Sequence, residues 1–533
     1  MRRGLTIFLG FARERYDGFE ERREPVAGNF GRDDGEAPIR AQHGRLARDV
    51  RKKHVTPRHE RGREQVRCDE GDIDFRGASV HKITIVGCGY VGLVTGTCLA
   101  ELGNRVVCVE KDRARLDVLE AGGIPFYEPG LAELVARNRE AQRLRFAATI
   151  DAAVGDSDIV FITVGTPMLP NGDADLSEVR AAARAIAQAI DSPKLVVNKS
   201  TVPVETGDLV AAIIREHKRG TFDVRVASNP EFLREGSAIA DFMHPDRIVI
   251  GVSDARTDAQ MRDLYAPLGA PIIATDVRTA EMIKYTANSF LAARVSFINE
   301  IAAICEQVGA DVREVVRGAG TDHRIGTAFM SAGLGFGGSC FPKDVRALCR
   351  IAERHGVSAQ VLDAVLSVND AQIGRAEARL RDALGGTLRG KHVALLGLAF
   401  KPQTDDVRES PALALARALL RAGATIAAHD PAALQTARTA LGDAVSYVGD
   451  EYDAARDADA LVVATDWNEY KELDFRLIAR RMRGDVLFDA RNVCDRREAE
   501  RHGLRYLGVG RPPSAVRPVS RRAGPSRSAD PRT

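Results

Sequence analysis

Ordered alternation of apolar and polar positions begins near Lys82. The apolar run Ile83–Val86 leads into Gly87-Cys88-Gly89-Tyr90-Val91-Gly92, a helical stretch to about Leu102, and a second run, Arg105–Val109, that stops at Glu110. Short apolar runs recur at Ile159–Val164, Leu195–Asn198, Val224–Ala227 and Arg247–Gly251, with alanine-rich stretches of helical period between them. Runs that are apolar throughout, each followed by a helix, predict a parallel sheet covered on both faces. From Thr279 to Arg317 the spacing changes to intervals of three and four, through Ile283, Ala287, Leu291 and Val295, which predicts one long helix. Its apolar surface is broad enough for either a core or an interface between two copies. Alternation of strand and helix resumes at Lys391. Runs at His392–Leu396, Ala424–Ala428, Ala460–Ala464 and Val486–Phe488 predict a second, smaller sheet, with a helix at Ala412–Arg421 closed by Gly423.

The two ends of the chain read differently. Residues 1–80 hold 18 basic and 15 acidic groups with little periodicity, and residues 511–533 hold six arginines against one aspartate. Neither end can bury enough apolar surface to offset the entropy lost on ordering, so disordered extensions are expected at 1–79 and 511–533. The basic tail is read as solvated, with a weak contact to an anionic partner as the sharper alternative. Over 533 residues, 76 basic and 74 acidic groups nearly cancel, which leaves no strong field for nucleic acid or anionic lipid. No run approaches ~18 apolar residues, so no membrane span is expected, and the start lacks the features of a secretory signal. Eight cysteines without a CxxC pair signal neither a zinc cluster nor a disulfide scaffold. No metal site is expected, and reducing cytosol is the expected compartment.

Several segments carry candidate chemistry. Gly87-x-Gly89-x-x-Gly92 sits between strand and helix, where glycine permits a tight turn, close approach to a pyrophosphate, and packing of helix on strand. The helix N-terminus adds free N–H groups. Glu110 is placed for ribose hydroxyls and would repel a 2′-phosphate, so NAD is the expected cofactor. In Gly335-Phe-Gly337-Gly338-Ser-Cys340-Phe-Pro-Lys343-Asp344, a thiol within a glycine-rich loop is followed by an ammonium and a carboxylate. Cys340 is a candidate nucleophile favoured as thiolate, with Asp344 able to hold a water or accept a proton; an inert thiol in a structural loop is the other reading. Cys88, Cys98, Cys108 and Trp467 are expected to pack, Cys305 and Cys349 lie in helical stretches, and Cys68 and Cys494 have no comparable setting. Glu231 and Glu235 are four residues apart, so that if helical both face one side, and Lys284 and Asn288 share that spacing on the middle helix. Either pair would also be ordinary on a solvated face.

Taken together, the segments IVGCGYVGLV, FYEPGL, VGTP, NKSTVPV, SNPEFLREG, EMIKYTANSFLA, DHRIG, GFGGSCFPKD and FKPQTDDVRES resemble the UDP-glucose/GDP-mannose dehydrogenase family from about Val80 to Val509. FYEPGL and the FPKD ending are more similar to its UDP-glucose branch. The resemblance implies an α/β fold of two Rossmann-like, doubly wound parallel-sheet domains joined by a long central helix. An NAD-binding domain is expected at 80–278, a helical dimerisation domain at 279–385, and a UDP-sugar domain at 386–510. It implies oxidation of UDP-glucose at C6 to UDP-glucuronate by two NAD, through a thiohemiacetal and a thioester on Cys340 that one water hydrolyses. Another nucleotide sugar, such as UDP-N-acetylmannosamine or GDP-mannose, or a catalytically silent sensor, are the alternatives.

Residue roles follow from the same resemblance. Lys284 matches the lysine that stabilises oxyanions, Asp344, Thr201 and Asn288 match groups that organise the water, and Glu231 matches a general base. Glu231, Phe232, Leu233, Arg234 and Glu235 match the sugar-lining segment. Lys284, Asn288, Phe329, Met330, Ser331, Ala332, Gly333, Gly337, Lys401 and Arg491 match further substrate contacts, and Arg324 matches an arginine given across a homodimer. Gly87, Gly89, Val91, Gly92, Glu110, Arg115, Thr166, Thr201, Glu235, Lys343 and Arg408 match the cofactor side.

Overall fold

In the computed structural model, residues 79–512 are described. The extensions expected at 1–79 and 511–533 lie almost wholly outside the described residues, as does Cys68. An eight-stranded sheet comprises β1 (Lys82–Val86), β2 (Arg105–Val109), β3 (Leu144–Ala147), β4 (Ile159–Ile162), β5 (Lys194–Asn198), β6 (Val224–Ser228), β7 (Ile248–Gly251) and β8 (Ile272–Thr275), in the order β3-β2-β1-β4-β5-β6-β7-β8. A six-stranded sheet comprises β9 (His392–Leu396), β10 (Thr425–His429), β11 (Ser446–Tyr447), β12 (Ala460–Val463), β13 (Val486–Asp489) and β14 (Arg505–Gly508), in the order β11-β10-β9-β12-β13-β14. Pairing is parallel except where β6 meets β7 through Ser228 and Gly251.

The continuous apolar runs become strands buried on both faces. Ile83 and Ile85 of β1 enter one layer with Phe161 and Val197, while Val86 enters the other with Ile162 and Val196. In the second sheet Val393 and Leu395 face one layer, and Ala394 and Leu396 the other. The strands that the sequence pattern did not announce, β3, β8, β11 and β14, lie at or beside the sheet ends. Each is short and buries only part of its side chains, so its apolar pattern is weak.

The middle helix needs correcting. It runs Val277–Val308 rather than to Arg317: Asp276 caps its start by accepting the Thr279 N–H at 2.9 Å, and Gly309 ends it at φ 76°. A separate helix, Val312–Ala319, restarts from the Asp311 cap. Here α1 denotes Tyr90–Glu101, α2 Thr206–His217, α3 Val277–Val308, α4 Val312–Ala319, α5 Phe341–Arg354, α6 Gln360–Ala383 and α7 Pro411–Arg421. The first turns of α3 pack on the first sheet, where a Cβ on Gly251 would lie 2.7 Å from the Ala280 Cβ. Its last turns send Ile298, Ala302 and Cys305 into the core of the second sheet. One helix therefore holds both sheets in register. Among the described residues no helix is long and apolar enough to cross a membrane.

Candidate active site

Strand order in the first sheet reverses between β1 and β4, the point at which open parallel sheets bind their ligands. Gly87 turns at φ 102°, and a Cβ on Gly92 would lie 1.9 Å from the Gly87 carbonyl oxygen. Only glycine fits either position. Helix α1 starts with no side-chain cap and no acidic residue in its first turn, which includes Val91, so its N–H groups stay free for phosphate. Glu110 is buried at the end of β2. Its carboxylate accepts the Cys88 N–H at 3.2 Å and the Asp112 N–H at 2.9 Å, and pairs with Arg115 at 3.2 Å. A fixed carboxylate beside an open helix N-terminus fits a dinucleotide with free ribose hydroxyls. Thr166 Oγ1 donates to the Thr201 carbonyl at 2.7 Å and ties the loops after β4 and β5 together.

The cysteine loop lies between the two sheets. A Cβ on Gly337 would meet the Glu409 carbonyl oxygen at 2.2 Å and Pro411 at 2.7 Å, and Gly338, at φ 80°, lies against the Phe400 ring. Cys340 stands at the N-terminus of α5 with part of its surface open. One turn on, the fully buried Asp344 accepts from Asn288 Nδ2 at 2.6 Å and from Lys343 Nζ at 2.6 Å. Lys284 and Asn288, one turn apart on α3, both point inward rather than to solvent. Lys284 Nζ is 2.9 Å from Glu231 Oε1, whose other oxygen accepts the Leu233 N–H at 2.6 Å.

Burial opposes both charges of that pair, and each holds the other. Glu231 stays below the usual carboxylate range because Lys284, the Leu233 N–H and Lys199 outweigh its desolvation. Lys284 stays above the ordinary lysine value because Glu231, Cys340 and Asp344 do the same for it. The thiol behaves otherwise. Burial first and Glu231 second push Cys340 up to about 11, against the pull of Lys284 and Lys343. The expectation of a resting thiolate is therefore corrected: two nearby ammoniums do not outweigh desolvation and two carboxylates.

The proposed helical pairing of Glu231 with Glu235 is corrected too. Residues 229–234 are not helical, and the two carboxylates part company. Glu235 accepts from Thr404 Oγ1 at 3.0 Å and lies 3.6 Å from Arg408, which also bonds Asp406 at 2.7 Å. Burial and Asp406 push Glu235 up to about 7. Burial draws the neighbouring Lys401 ammonium down. Phe232 lies between Arg247, 3.6 Å from its ring centroid, and Lys284 at 5.3 Å, while Arg234 turns outward to Asp241 at 2.6 Å.

The remaining substrate positions divide. Phe329, at φ 58°, brings its ring within 6.1 Å of Phe341, next to Cys340. Met330 and Ala332 are buried and Ser331 is exposed. The Gly333 N–H donates to Asn299 Oδ1 at 2.8 Å, and a Cβ there would lie 2.9 Å from the Ala490 carbonyl. Arg491, next in sequence, pairs with Asp466 at 3.1 Å. Arg324 stands apart: exposed, it pairs with Asp322 at 2.6 Å and makes no contact with the Cys340 cluster among the described residues. Cys88, Cys98, Cys108, Cys305, Cys494 and Trp467 are buried, and Cys349 is half-buried.

Sequence reasoning missed three residues. Glu128, within FYEPGL, is buried, takes the Tyr90 hydroxyl and accepts the Ala238 N–H at 2.8 Å, so it fixes the SNPEFLREG loop. Lys199, within NKSTVPV, is buried close to Glu231 and Lys284. Asp430, at the end of β10, accepts the Leu398, Ala399, Ala432 and Ala433 N–H groups at 2.7–3.0 Å and the Trp467 Nε1 at 3.3 Å. The first two stood in quoted motifs; a single buried acid after a strand left no distinguishing signal for the third.

Three family descriptions match the chain in order: the NAD binding domain of the UDP-glucose/GDP-mannose dehydrogenase family over residues 81–269, its central domain over 278–371, and its UDP binding domain over 394–496. A relative from Rhizobium meliloti (strain 1021), a UDP-glucose 6-dehydrogenase, is 49% identical over 437 residues, 81% of this chain and 100% of that protein. The chain belongs to the UDP-glucose/GDP-mannose dehydrogenase family. Another family member, a UDP-glucose 6-dehydrogenase from Bacillus subtilis (strain 168), is 47% identical over 431 residues, 81% of this chain and 93% of that one. Among solved structures of the family, a UDP-glucose dehydrogenase from Pyrobaculum islandicum shares 44% identity at a TM-score of 0.77, covering 82% of this chain and 99% of that one.

Proposed function

We infer that the chain oxidises UDP-glucose at C6 to UDP-glucuronate with NAD, a four-electron change. The observation that carries this reading is the placement of a half-buried thiol, Cys340, within the field of one ammonium–carboxylate pair and one buried aspartate. Binding alone has no use for that arrangement. Gly87, Gly92 and Glu110 are the groups that would hold NAD, which supplies the hydride acceptor for each two-electron stage.

The chain's own residues account for the remaining chemistry. At each oxidation Lys284 stabilises negative charge on the C6 oxygen while the hydroxyl proton passes to solvent and the C6–H bond gives its hydride to that acceptor. Cys340 then adds to the aldehyde carbon, its proton passing to the oxygen, and the thiohemiacetal forms. A thiol resting near 11 suits this order, because the proton leaves as the carbon–sulfur bond is made. After the second oxidation, Asp344 and Asn288, with Thr201 beside them, orient a water, and Glu231 takes its proton as it displaces the sulfur from the thioester. Lys401 and Arg491 offer cations to a pyrophosphate.

A second copy of the chain is the partner this reading requires. Phe290, Phe297 and Ile304 on α3 repeat at seven-residue spacing and are 63%, 58% and 50% exposed. A homodimer covers them and gives Arg324 a role across the interface. The divisions at 80–278, 279–385 and 386–510 serve as NAD-binding, dimerisation and UDP-sugar domains. Free thiols throughout the described residues suit reducing cytosol.

NADH formation with a panel of nucleotide sugars tests the proposal. About two NADH per UDP-glucose are expected; one NADH, or faster turnover of another sugar, would replace the reading.

A further inference from the structure

Lys199 follows β5, is buried, and enters no step above. Its Nζ lies 3.0 Å from Asn229 Oδ1 and 3.5 Å from the Asn229 carbonyl, and 5.9 Å from the Tyr265 ring centroid. The Tyr265 hydroxyl donates to the same Oδ1 at 2.6 Å, and Asn229 Nδ2 donates to the Val249 carbonyl at 2.8 Å. The amide is thus locked, and it aims its oxygen at the ammonium. Only Pro230 separates Asn229 from Glu231, so the lysine is held behind the loop whose carboxylate faces Lys284. A cavity of about 40 Å³ borders Lys199, Glu231, Arg247 and Tyr265.

A buried ammonium with neutral acceptors is costly and needs a compensating anion. Glu231, which lines the same cavity without a direct hydrogen bond to Lys199, supplies that charge through space. Burial, opposed by Glu231 and reinforced by Lys284, draws Lys199 down to about 8. Around Glu231 stand Lys284 from α3, Cys340 from the glycine loop, Lys199 from the end of β5, and Arg247 and Asp241 about the cavity. During oxidation Lys284 must serve the C6 oxygen, and a buried carboxylate deprived of its partner takes up a proton.

We propose that Lys199 is a positioning residue for the reaction: it anchors Glu231 as an anion while Lys284 transfers its hydrogen bond to the C6 oxygen. The proposal rests on the oxidation of a UDP-sugar inferred above.

The test is the pH dependence of kcat for NADH formation from UDP-glucose in the wild type, Lys199→Met and Lys199→Arg. Methionine matches the chain length and removes the buried charge. In Lys199→Met the acid limb should move up by about one pH unit, giving roughly tenfold lower kcat at low pH and recovery at high pH, with KM values within about twofold. Lys199→Arg should restore the wild-type limb. A uniform loss at every pH, an unshifted limb, or a limb displaced equally in the arginine variant overturns the proposal. Should Lys199→Met fail to fold, Asn229→Ala, which frees the ammonium, should move the limb the same way by less, and an unmoved limb there is equally fatal. Wild type forming no NADH overturns the functional reading, and this proposal with it; active wild type with an unshifted variant overturns this proposal alone.

Discussion

Burial pushes the Cys340 thiol up to about 11, so it rests protonated, and in the proposed reaction its neighbours decide when that changes. Replacing Cys340 by serine should abolish four-electron turnover, because a hydroxyl is a poorer nucleophile and an ester hydrolyses less readily than a thioester; UDP-glucuronate output at wild-type level would remove the covalent route. With the thiol near 11, alkylation of the free protein by iodoacetamide should accelerate about tenfold per pH unit from 7 to 10. Lys284→Met removes a cation that lowers the thiol value, so alkylation at a given pH should slow. Inactivation with no pH dependence in that range would contradict a protonated resting state. The gathering of Cys340, Lys284 and Asp344 was legible because the glycine-rich loop and the quoted motifs single them out; their proposed roles remain for these experiments. The protonation of the thiol was not legible, since it depends on burial and on charges from segments more than fifty residues away.

At the level of elements, loops from the two sheets meet through residues that need special backbone. Gln403 and Glu409 hold φ of 62° and 49°, and each faces a glycine, Gly236 and Gly337, with no room for a Cβ. Gly337→Ala should therefore displace the cysteine loop and cut kcat at least tenfold while NAD binding, measured by titration calorimetry, stays near wild type. Gly92→Ala should do the reverse and abolish NAD binding. The junction also contains Glu235, which rests near 7 against about 4.3 for a free glutamate. A carboxyl raised by folding favours the native state below the unfolded value and loses that contribution as pH rises through the folded one. Between pH 4.5 and 7, Glu235→Gln should thus gain melting temperature relative to wild type, with no further gain above 7; a constant difference across that range would show that the group is not raised. The strand–helix alternation of both sheets was visible in the apolar runs. The parting of Glu231 from Glu235 was not, because proline and tertiary contacts override the four-residue spacing. The break at Gly309 also escaped the periodicity, since apolar residues continue at helical intervals beyond it.

Across the whole molecule, α3 links coenzyme side, thiol and second sheet, and it also carries the exposed Phe290, Phe297 and Ile304. On the proposed homodimer, Phe290→Asp with Phe297→Asp should yield monomers by light scattering and, with Arg324 serving the neighbouring copy, lose activity; an active monomer would confine the site to one chain. The two sheets share a winding order and one device: Glu110 takes the Cys88 N–H after Gly87, and Asp430 takes the Leu398 and Ala399 N–H groups after Gly397. They differ in the helix that follows. Helix α1 starts uncapped, whereas Ser410 already caps α7 by accepting the Leu413 N–H. A diphosphate approaching the second half would therefore meet fewer free backbone donors, and side-chain cations would carry more of its charge.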